Sequence, residues 1–197
     1  MKNLKFVILP LIMLMAGCVT QKINVRALLD AGPKDQIYTA YNIFYSDPQD
    51  VPTINYRLAG KLLPAGTPIE LLDTGYCTND REDIVSFKVI STQRVYNMTH
   101  QKRWRAKDDD VHSFIKRLFT TQAFEKRTEG FSEDIIKEIK TGMIVKGMTK
   151  EQVIIALGYP ATHRTQSLDN STWMYWKDPD VCFRAIFKNG KISDILE

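Results

Sequence analysis

The sequence predicts an α+β fold in two parts: an N-terminal domain resembling a small β barrel or sandwich, and a C-terminal α-α-β-β-β domain. Three observations lead to this prediction. Short runs of β-branched and aromatic residues, separated by turn residues, fill the first half of the chain. Segments with apolar positions at helical spacing follow them. Asn189–Gly190 then joins two alternating apolar runs near the end, which is the strongest short hairpin signal and predicts a three-stranded antiparallel sheet.

The chain begins with a segment that has the parts of a lipoprotein signal peptide. Lys2 and Lys5 precede the apolar run Phe6–Met15, which is too short to span a bilayer as a helix. The small pair Ala16–Gly17 then precedes Cys18. This order resembles a bacterial lipobox, and the resemblance implies cleavage after residue 17 and attachment of lipid, including palmitate, to Cys18.

The lipobox resemblance also implies a location. Acyl chains bury methylene groups worth about 0.8 kcal/mol each, so several chains anchor a protein stably without a spanning helix. Val19 follows the cysteine in place of the Asp that favours the inner membrane, so we expect the outer membrane, facing the periplasm. A single-pass anchor, or an ordinary signal peptide with a chance cysteine, remains the alternative.

Charge gives little reason to expect a nucleic-acid partner. The net charge of the 197 residues is +4, and two of the lysines lie in the predicted signal peptide. Nucleic-acid binding requires a concentrated basic face. The densest basic stretch, HQKRWRAK at residues 100–107, is followed at once by three aspartates. We therefore interpret it as a solvated strand end or loop with Trp104 packed inward.

The N-terminal half is divided into a tether, residues 18–35, and a β-rich domain, residues 36–105. The tether has no strong hydrophobic period. In the domain, aromatic and β-branched runs bounded by turn residues predict the strands. These strands are Ile37–Tyr45, Pro68–Asp73 and a hairpin of Ile84–Ile90 and Gln93–Thr99 around Ser91–Thr92.

Residues 106–130 are predicted to link the two domains through a helix. Aspartates suit a helix N-terminus, and Asp108–Asp110 stand directly before an apolar stripe at helical spacing. The stripe consists of Val111, Phe114, Ile115 and Leu118. The same aspartates with His112 leave a metal site as an alternative, but a helix start is the simpler interpretation.

The C-terminal domain, residues 131–197, contains two helices with clear boundaries. Ser132 caps the first, which ends at Gly142. Thr149 and Gln152 form a capping box for the second, which is expected to end in a left-handed cap at Gly158, before Pro160. A helix of about two turns is not stable alone, so it must pack on the sheet.

The order of these signals resembles the SmpA/OmlA (BamE-like) family. The matching residues are Gly147, Met148, Thr149, Ala156, Leu157, Gly158, Pro160, Trp173, Tyr175, Asn189 and Gly190. The resemblance covers residues 131–197 and implies a binding or scaffolding lipoprotein with no cofactor and no reaction. The long β-rich region before it is a departure from the family's outer-membrane assembly factor and puts membership of that assembly machine in doubt.

We expect the partner-contact surface around the loop Ala161–Ser171, because it is long for a connection and such loops often carry function. Tyr159, His163 and Trp176 are candidate contact residues, since exposed aromatic residues are enriched at interfaces. His163 and Arg164 could also meet an anionic lipid headgroup or an acidic partner. Cys77 and Cys182 remain after lipidation, and a disulfide between them is possible in the oxidising periplasm.

The leading functional hypothesis is a non-catalytic outer-membrane lipoprotein that binds envelope proteins in outer-membrane assembly or envelope maintenance. The alternative is a periplasmic inhibitor-like or ligand-sensing module that acts through its N-terminal β domain. A hydrolase built from His100, His112 or His163 and scattered acids is the third hypothesis, and it lacks any activated-nucleophile motif. The sequence leaves the partner and the oligomeric state open.

Overall fold

The computed structural model describes residues 20–72, 75–77 and 82–197, and its fold is α+β, as predicted. Five α-helices and three β-sheets lie within these residues. The predicted three-stranded antiparallel sheet is present at the C-terminus. The predicted signal peptide and the lipobox cysteine Cys18 lie outside the described residues. None of the helices within them has the length and hydrophobicity that crossing a bilayer requires.

Twelve strands, five α-helices and one 3₁₀ helix make up the described part of the chain. The strands are β1 (Thr20–Lys22), β2 (Ile37–Thr39), β3 (Ile43–Tyr45), β4 (Lys61–Leu63), β5 (Pro68–Leu71), β6 (Gly75–Cys77), β7 (Glu82–Val89), β8 (Val95–Gln101), β9 (Phe119–Thr120), β10 (Thr172–Trp176), β11 (Cys182–Lys188) and β12 (Lys191–Leu196). The α-helices are α1 (Val25–Leu28), α2 (Val111–Leu118), α3 (Phe124–Arg127), α4 (Glu133–Thr141) and α5 (Lys150–Leu157), with a 3₁₀ helix at Lys102–Trp104.

The large sheet is organised around its longest strand, β7. The predicted hairpin is confirmed: β8 pairs with β7 along its length. β5 and β6 share the other edge of β7, and the strand order is β1-β6-β7-β5-β2-β9. Within the described residues this order runs from one open edge to another, so the sheet does not close into the barrel that the sequence suggested.

Register defines two ends of this sheet. At one end, which we call the β1 end, Thr20 stands opposite Cys77 and Glu82 stands opposite Gln101. At the other, the hairpin end, β7 finishes at Val89 before the turn to β8. A strand rises about 3.4 Å per residue, so the six steps from Asp83 to Val89 separate the two ends by roughly 20 Å.

The segment that was predicted as a tether is instead part of the N-terminal core. β1 pairs with β6, and Asn24 caps α1 by accepting a hydrogen bond from the Ala27 backbone. Val25 is buried, and Leu28 and Leu29 pack against the same core. These three residues have helical spacing, but the helix has only four residues, which is too short a pattern to predict from the sequence.

The predicted strand Ile37–Tyr45 is two strands in different sheets. β2 lies in the large sheet, whereas β3 pairs with β4 in a separate two-stranded sheet. The chain turns at the fully buried Asn42, whose side chain bonds to backbone groups and not to a ladder. The break therefore reflects a tertiary interaction that strand propensity does not report.

Both hydrophobic cores draw side chains from β3. Ile43 and Tyr45 pack in the N-terminal core. Phe44, which points to the opposite face, packs in the C-terminal core with the helices and sheet of the last third. The two parts of the chain therefore share a strand at their boundary.

The predicted linking helix α2 packs on the N-terminal core. Asp110 caps it by accepting a hydrogen bond from the Ser113 backbone, as expected for an aspartate at a helix start. All four residues of the predicted apolar stripe are buried in that core: Val111, Phe114, Ile115 and Leu118. The helix runs directly into β9, which adds to the edge of β2.

The predicted helix boundaries of the last third are confirmed. Ser132 caps α4, which ends at Gly142 with φ +69°. Thr149 and Gln152 form the capping box of α5. Gly158 ends α5 with φ +78° and ψ −175°, so the left-handed cap expected there is wrong, and the residue occupies a region that essentially only glycine adopts.

Candidate functional site

A groove of about 620 Å³ lies at the hairpin end of the large sheet. Its floor contains buried apolar residues, among them Leu63, Ala65 and Val89. Pro64, Pro68, Ser91 and Thr92 form one exposed rim, and Phe124, Glu125 and Lys140 line the other side. The volume falls within the roughly 300–1,000 Å³ typical of ligand sites.

The turn between β4 and β5 positions one wall of the groove. Thr39 donates a side-chain hydrogen bond to the Pro64 carbonyl and accepts one from the Thr67 backbone. Gly66 has φ +77°, and a Cβ there would stand 2.4 Å from the Cβ of Phe124. The opposite wall therefore approaches the turn closely, and only glycine allows both the backbone conformation and the contact.

The chemistry of the lining suits binding. Apolar side chains provide most of the surface, and the hydroxyls of Ser91 and Thr92 stand at the rim with the charges of Glu125 and Lys140. The Lys140 ammonium lies 5.8 Å from the centre of the Phe124 ring, which holds it beside the apolar wall. Such a lining buries an apolar segment and orients it with a few peripheral hydrogen bonds.

A second polar feature, a buried ion network, lies near the β1 end. Arg105 donates to Asp83 at 2.9 Å and to His100 Nδ1 at 2.7 Å. Arg117 donates to both carboxylate oxygens of Asp109, at 2.7 and 2.9 Å. The His100 ring is fully buried and stacks on Phe114 at 4.4 Å.

The network ties the loop after α5 to the N-terminal part. Thr162 donates to Asp109 at 2.7 Å and accepts from the Ala106 backbone at 3.0 Å. Because its charged groups are paired with one another, the network has a structural role. Of the three predicted hydrolase histidines, His100 is sealed inside it, and His112 is exposed beside the capping residue Asp110.

The surroundings of Asp109 stabilise its ionised form. Burial alone would raise the pKa of this carboxyl, but His100, the charge and hydrogen bonds of Arg117, and the Thr162 hydroxyl together hold the pKa well below its usual range. The separation between His100 Nε2 and Asp109 Oδ2 is 3.7 Å, so the shorter Arg117 contacts are the direct hydrogen bonds.

We expect Asp109→Asn to lower the free energy of unfolding by about 2 kcal/mol at neutral pH, because hydrogen bonds to a charged group are worth more than neutral ones. A depressed pKa gives stability that is present above the unfolded value near 4 and lost as the pH falls below it. Urea unfolding at pH 7 and pH 3 should therefore show the deficit shrinking in acid. A deficit that stays constant would exclude this origin.

His163, one of the predicted partner-contact residues, lies in a half-buried seam between the two parts of the chain. The His163 ring lies between two indoles, 5.3 Å from Trp104 and 5.5 Å from Trp176 by ring centres. Its Nδ1 donates to the Trp104 carbonyl at 2.9 Å. Desolvation lowers the pKa of this histidine, and the charge of Arg164 lowers it further, although the hydrogen bond to Trp104 acts in the opposite direction.

The other predicted contact residues divide between the seam and the surface. Tyr159 is half-buried, packs edge-on against Tyr41 and lies under the Arg117 guanidinium at 5.8 Å. Trp176 is half-buried beneath His163. Only Arg164 is exposed. His163 packs against Trp104 of the 3₁₀ helix, and its contact with a partner stays a prediction.

This placement predicts different effects for two neighbouring residues. His163→Ala should lower the free energy of unfolding by about 1–2 kcal/mol, because the ring loses both indole contacts and the Trp104 carbonyl loses its donor. The matched control Arg164→Ala should stay within about 0.5 kcal/mol. Thermal unfolding checks both. Equal losses of unfolding free energy in the two variants would show that the packing of His163 between the two indoles does not stabilise the protein.

The disulfide between Cys77 and Cys182 that the sequence left possible is not formed. Cys182 is an exposed free thiol at the start of β11. Cys77 lies in β6 of the other sheet, and its side chain is outside the part of the chain that the structure describes. The two strands belong to separate sheets. The distance between the two cysteines, which decides whether they can pair, cannot be read from the sequence.

Within the described ranges no group of three or more histidine, cysteine, aspartate and glutamate side chains is placed to hold a metal ion. Comparisons with known protein families, with curated proteins and with solved structures found no match to this chain.

Sequence reasoning missed the groove because its walls come from separate elements. The Ser91–Thr92 turn was predicted, but nothing in the sequence indicates that α3 and α4 lie across the groove from it. The one available signal was Gly66, which lies in a turn between two prolines. A glycine there predicts a positive φ, but it does not predict that Phe124 packs against the turn.

Proposed function

We propose that this chain is a lipid-anchored binding protein on the periplasmic face of the outer membrane, with a non-catalytic role in outer-membrane assembly or envelope maintenance. The observation that carries the proposal is the apolar groove of about 620 Å³, whose few polar groups stand at the rim. A groove of this chemistry fits a hydrophobic segment of an envelope protein. The lipobox-like sequence at Cys18 supports the anchor.

The position of the groove fits an anchored protein. It opens at the hairpin end of the large sheet, roughly 20 Å from the level at which β1 begins. A partner that binds there approaches the side far from the start of the folded chain, so the bilayer does not obstruct it.

The SmpA/OmlA-like order of signals in the last third supports the same proposal. The two capped helices and the three strands occur in the order that the resemblance implied. The groove takes residues from both α4 of this region and the preceding β region, so we propose that binding uses the whole chain and not the last third alone.

The alternative, an inhibitor-like or ligand-sensing module, is favoured by one specific feature. The exposed rim formed by Pro64, Pro68, Ser91 and Thr92 belongs entirely to the β-rich part. A soluble periplasmic protein or a cell-wall fragment that contacts only this rim would act through the N-terminal domain.

Photo-crosslinking in living cells tests the proposal. A photoreactive residue at Thr92, on the groove rim, should give adducts that mass spectrometry identifies as outer-membrane assembly proteins. The same residue at Lys188, an exposed position outside the groove, is the control. Adducts with soluble cell-wall enzymes alone would favour the alternative. The same adducts at both positions, or none at Thr92, would contradict a binding role for the groove.

A further inference from the structure

The register of the large sheet brings β1, the first described strand, close to the basic segment of the sequence. Gln21, Tyr76, Asp83 and His100 stand opposite one another across four adjacent strands. Strands lie about 4.8 Å apart, so β1 and β8 are separated by roughly 14 Å at this level. β8 ends at Gln101, and the 3₁₀ helix Lys102–Trp104 follows immediately.

A lipid on Cys18 would hold this end of the sheet close to the bilayer. This step rests on the proposed lipidation. Only one residue separates Cys18 from Thr20, the first residue of β1, and a fully extended chain covers at most about 3.6 Å per residue. A lipid on Cys18 would therefore be attached no more than about 7 Å from Thr20.

The side chains of the 3₁₀ segment are divided between the interior and the solvent. Arg105 turns inward to Asp83 and His100, whereas Lys102 and Arg103 are exposed. The Arg103 guanidinium lies 5.0 Å from the centre of the half-buried Trp104 ring. Arg164 is exposed on the loop that His163 holds against Trp104.

We propose that Lys102, Arg103, Trp104 and Arg164 form a membrane-contact patch that rests on the anionic bilayer surface beside the lipid of Cys18. Basic side chains are attracted to anionic headgroups, and the amphipathic indole suits the interface. Stable anchoring is strengthened when an acyl anchor is joined by a basic patch. The patch holds the β1 end down, and the groove faces away from the bilayer.

The test uses the mature chain with Cys18→Ser, so that no lipid contributes to binding. Sedimentation with vesicles of phosphatidylcholine and phosphatidylglycerol, mixed three to one, measures the affinity. The chain should bind these vesicles at low salt, bind pure phosphatidylcholine far more weakly, and lose affinity as salt is added. The double variant Arg103→Gln, Arg164→Gln should lose roughly tenfold or more in affinity, because each basic residue near an anionic surface contributes separately.

The matched control is Lys188→Gln, Lys191→Gln, which removes two exposed charges from the β11–β12 hairpin. It should bind as the parent chain does. No binding to anionic vesicles, or equal loss in both double variants, would overturn the proposal. Loss of acyl labelling in Cys18→Ser cells tests the lipidation separately. Labelling that persists in that variant would refute the anchor without affecting the vesicle result.

Discussion

Gly158→Ala should lower the free energy of unfolding by about 4 kcal/mol. Two costs combine. The backbone at φ +78° and ψ −175° strains any residue with a Cβ by about 1–3 kcal/mol. The added Cβ would also lie 2.8 Å from two carbons of the buried Tyr41 ring, and such overpacking costs about 1–3 kcal/mol.

The control for this variant is Gly190→Ala. Gly190 has a similar φ of +76°, but a Cβ there meets nothing within 4 Å. The control should therefore show the strain alone, about 1 kcal/mol. Urea unfolding of both variants gives the loss at Gly158 in excess of that at an uncrowded positive-φ glycine, which reports the collision with Tyr41 together with the cost of ψ −175°. If the two variants lose the same stability, the contact between Gly158 and Tyr41 is not as tight as described.

Asn42→Ala should lower the free energy of unfolding by about 3 kcal/mol. The side-chain amide donates to the carbonyls of Ile139 and Ala156, and its oxygen accepts from the Ala65 backbone at 2.8 Å. Alanine leaves the Ala65 N–H and the Ala156 carbonyl buried without this partner. Each buried unsatisfied group costs about 1–3 kcal/mol.

Asn97→Ala provides the comparison for the buried amide. Asn97 also has two side-chain hydrogen bonds, one accepted from Ser86 and one donated to Gln49, but it is only half-buried, so water can replace its partners. We expect a loss below about 1 kcal/mol there. Equilibrium unfolding measures both. If Asn42→Ala lowers the free energy of unfolding no more than Asn97→Ala does, this amide does not hold the two parts of the chain together.

The local boundaries could be predicted from the sequence because each is encoded within a few residues. Asp110, Ser132 and Thr149 cap helices as expected, and Asn189–Gly190 closes the final hairpin. In each case a side chain satisfies a nearby backbone group, or a positive φ requires a particular residue. Such signals do not depend on the rest of the fold.

The interactions that define the site could not be predicted in this way. His163 has ordinary polar neighbours in the sequence, and its two indole contacts come from residues 59 positions earlier and 13 positions later. Asn42 resembles a turn residue, yet its amide bonds to backbone groups 97 and 114 positions away. Burial of this kind is decided by tertiary packing, which a single sequence does not display.

The strand β3 has a consequence for how this protein can be divided. Its side chains enter two cores, and a second asparagine, Asn55, donates to both the Asn42 and the Leu157 carbonyls. Residues 131–197 expressed alone would lack Phe44 and Ala65 from their own core. We therefore expect the chain to unfold in a single transition. A functional transplant of the last third into another protein would have to carry residues 42–65 with it.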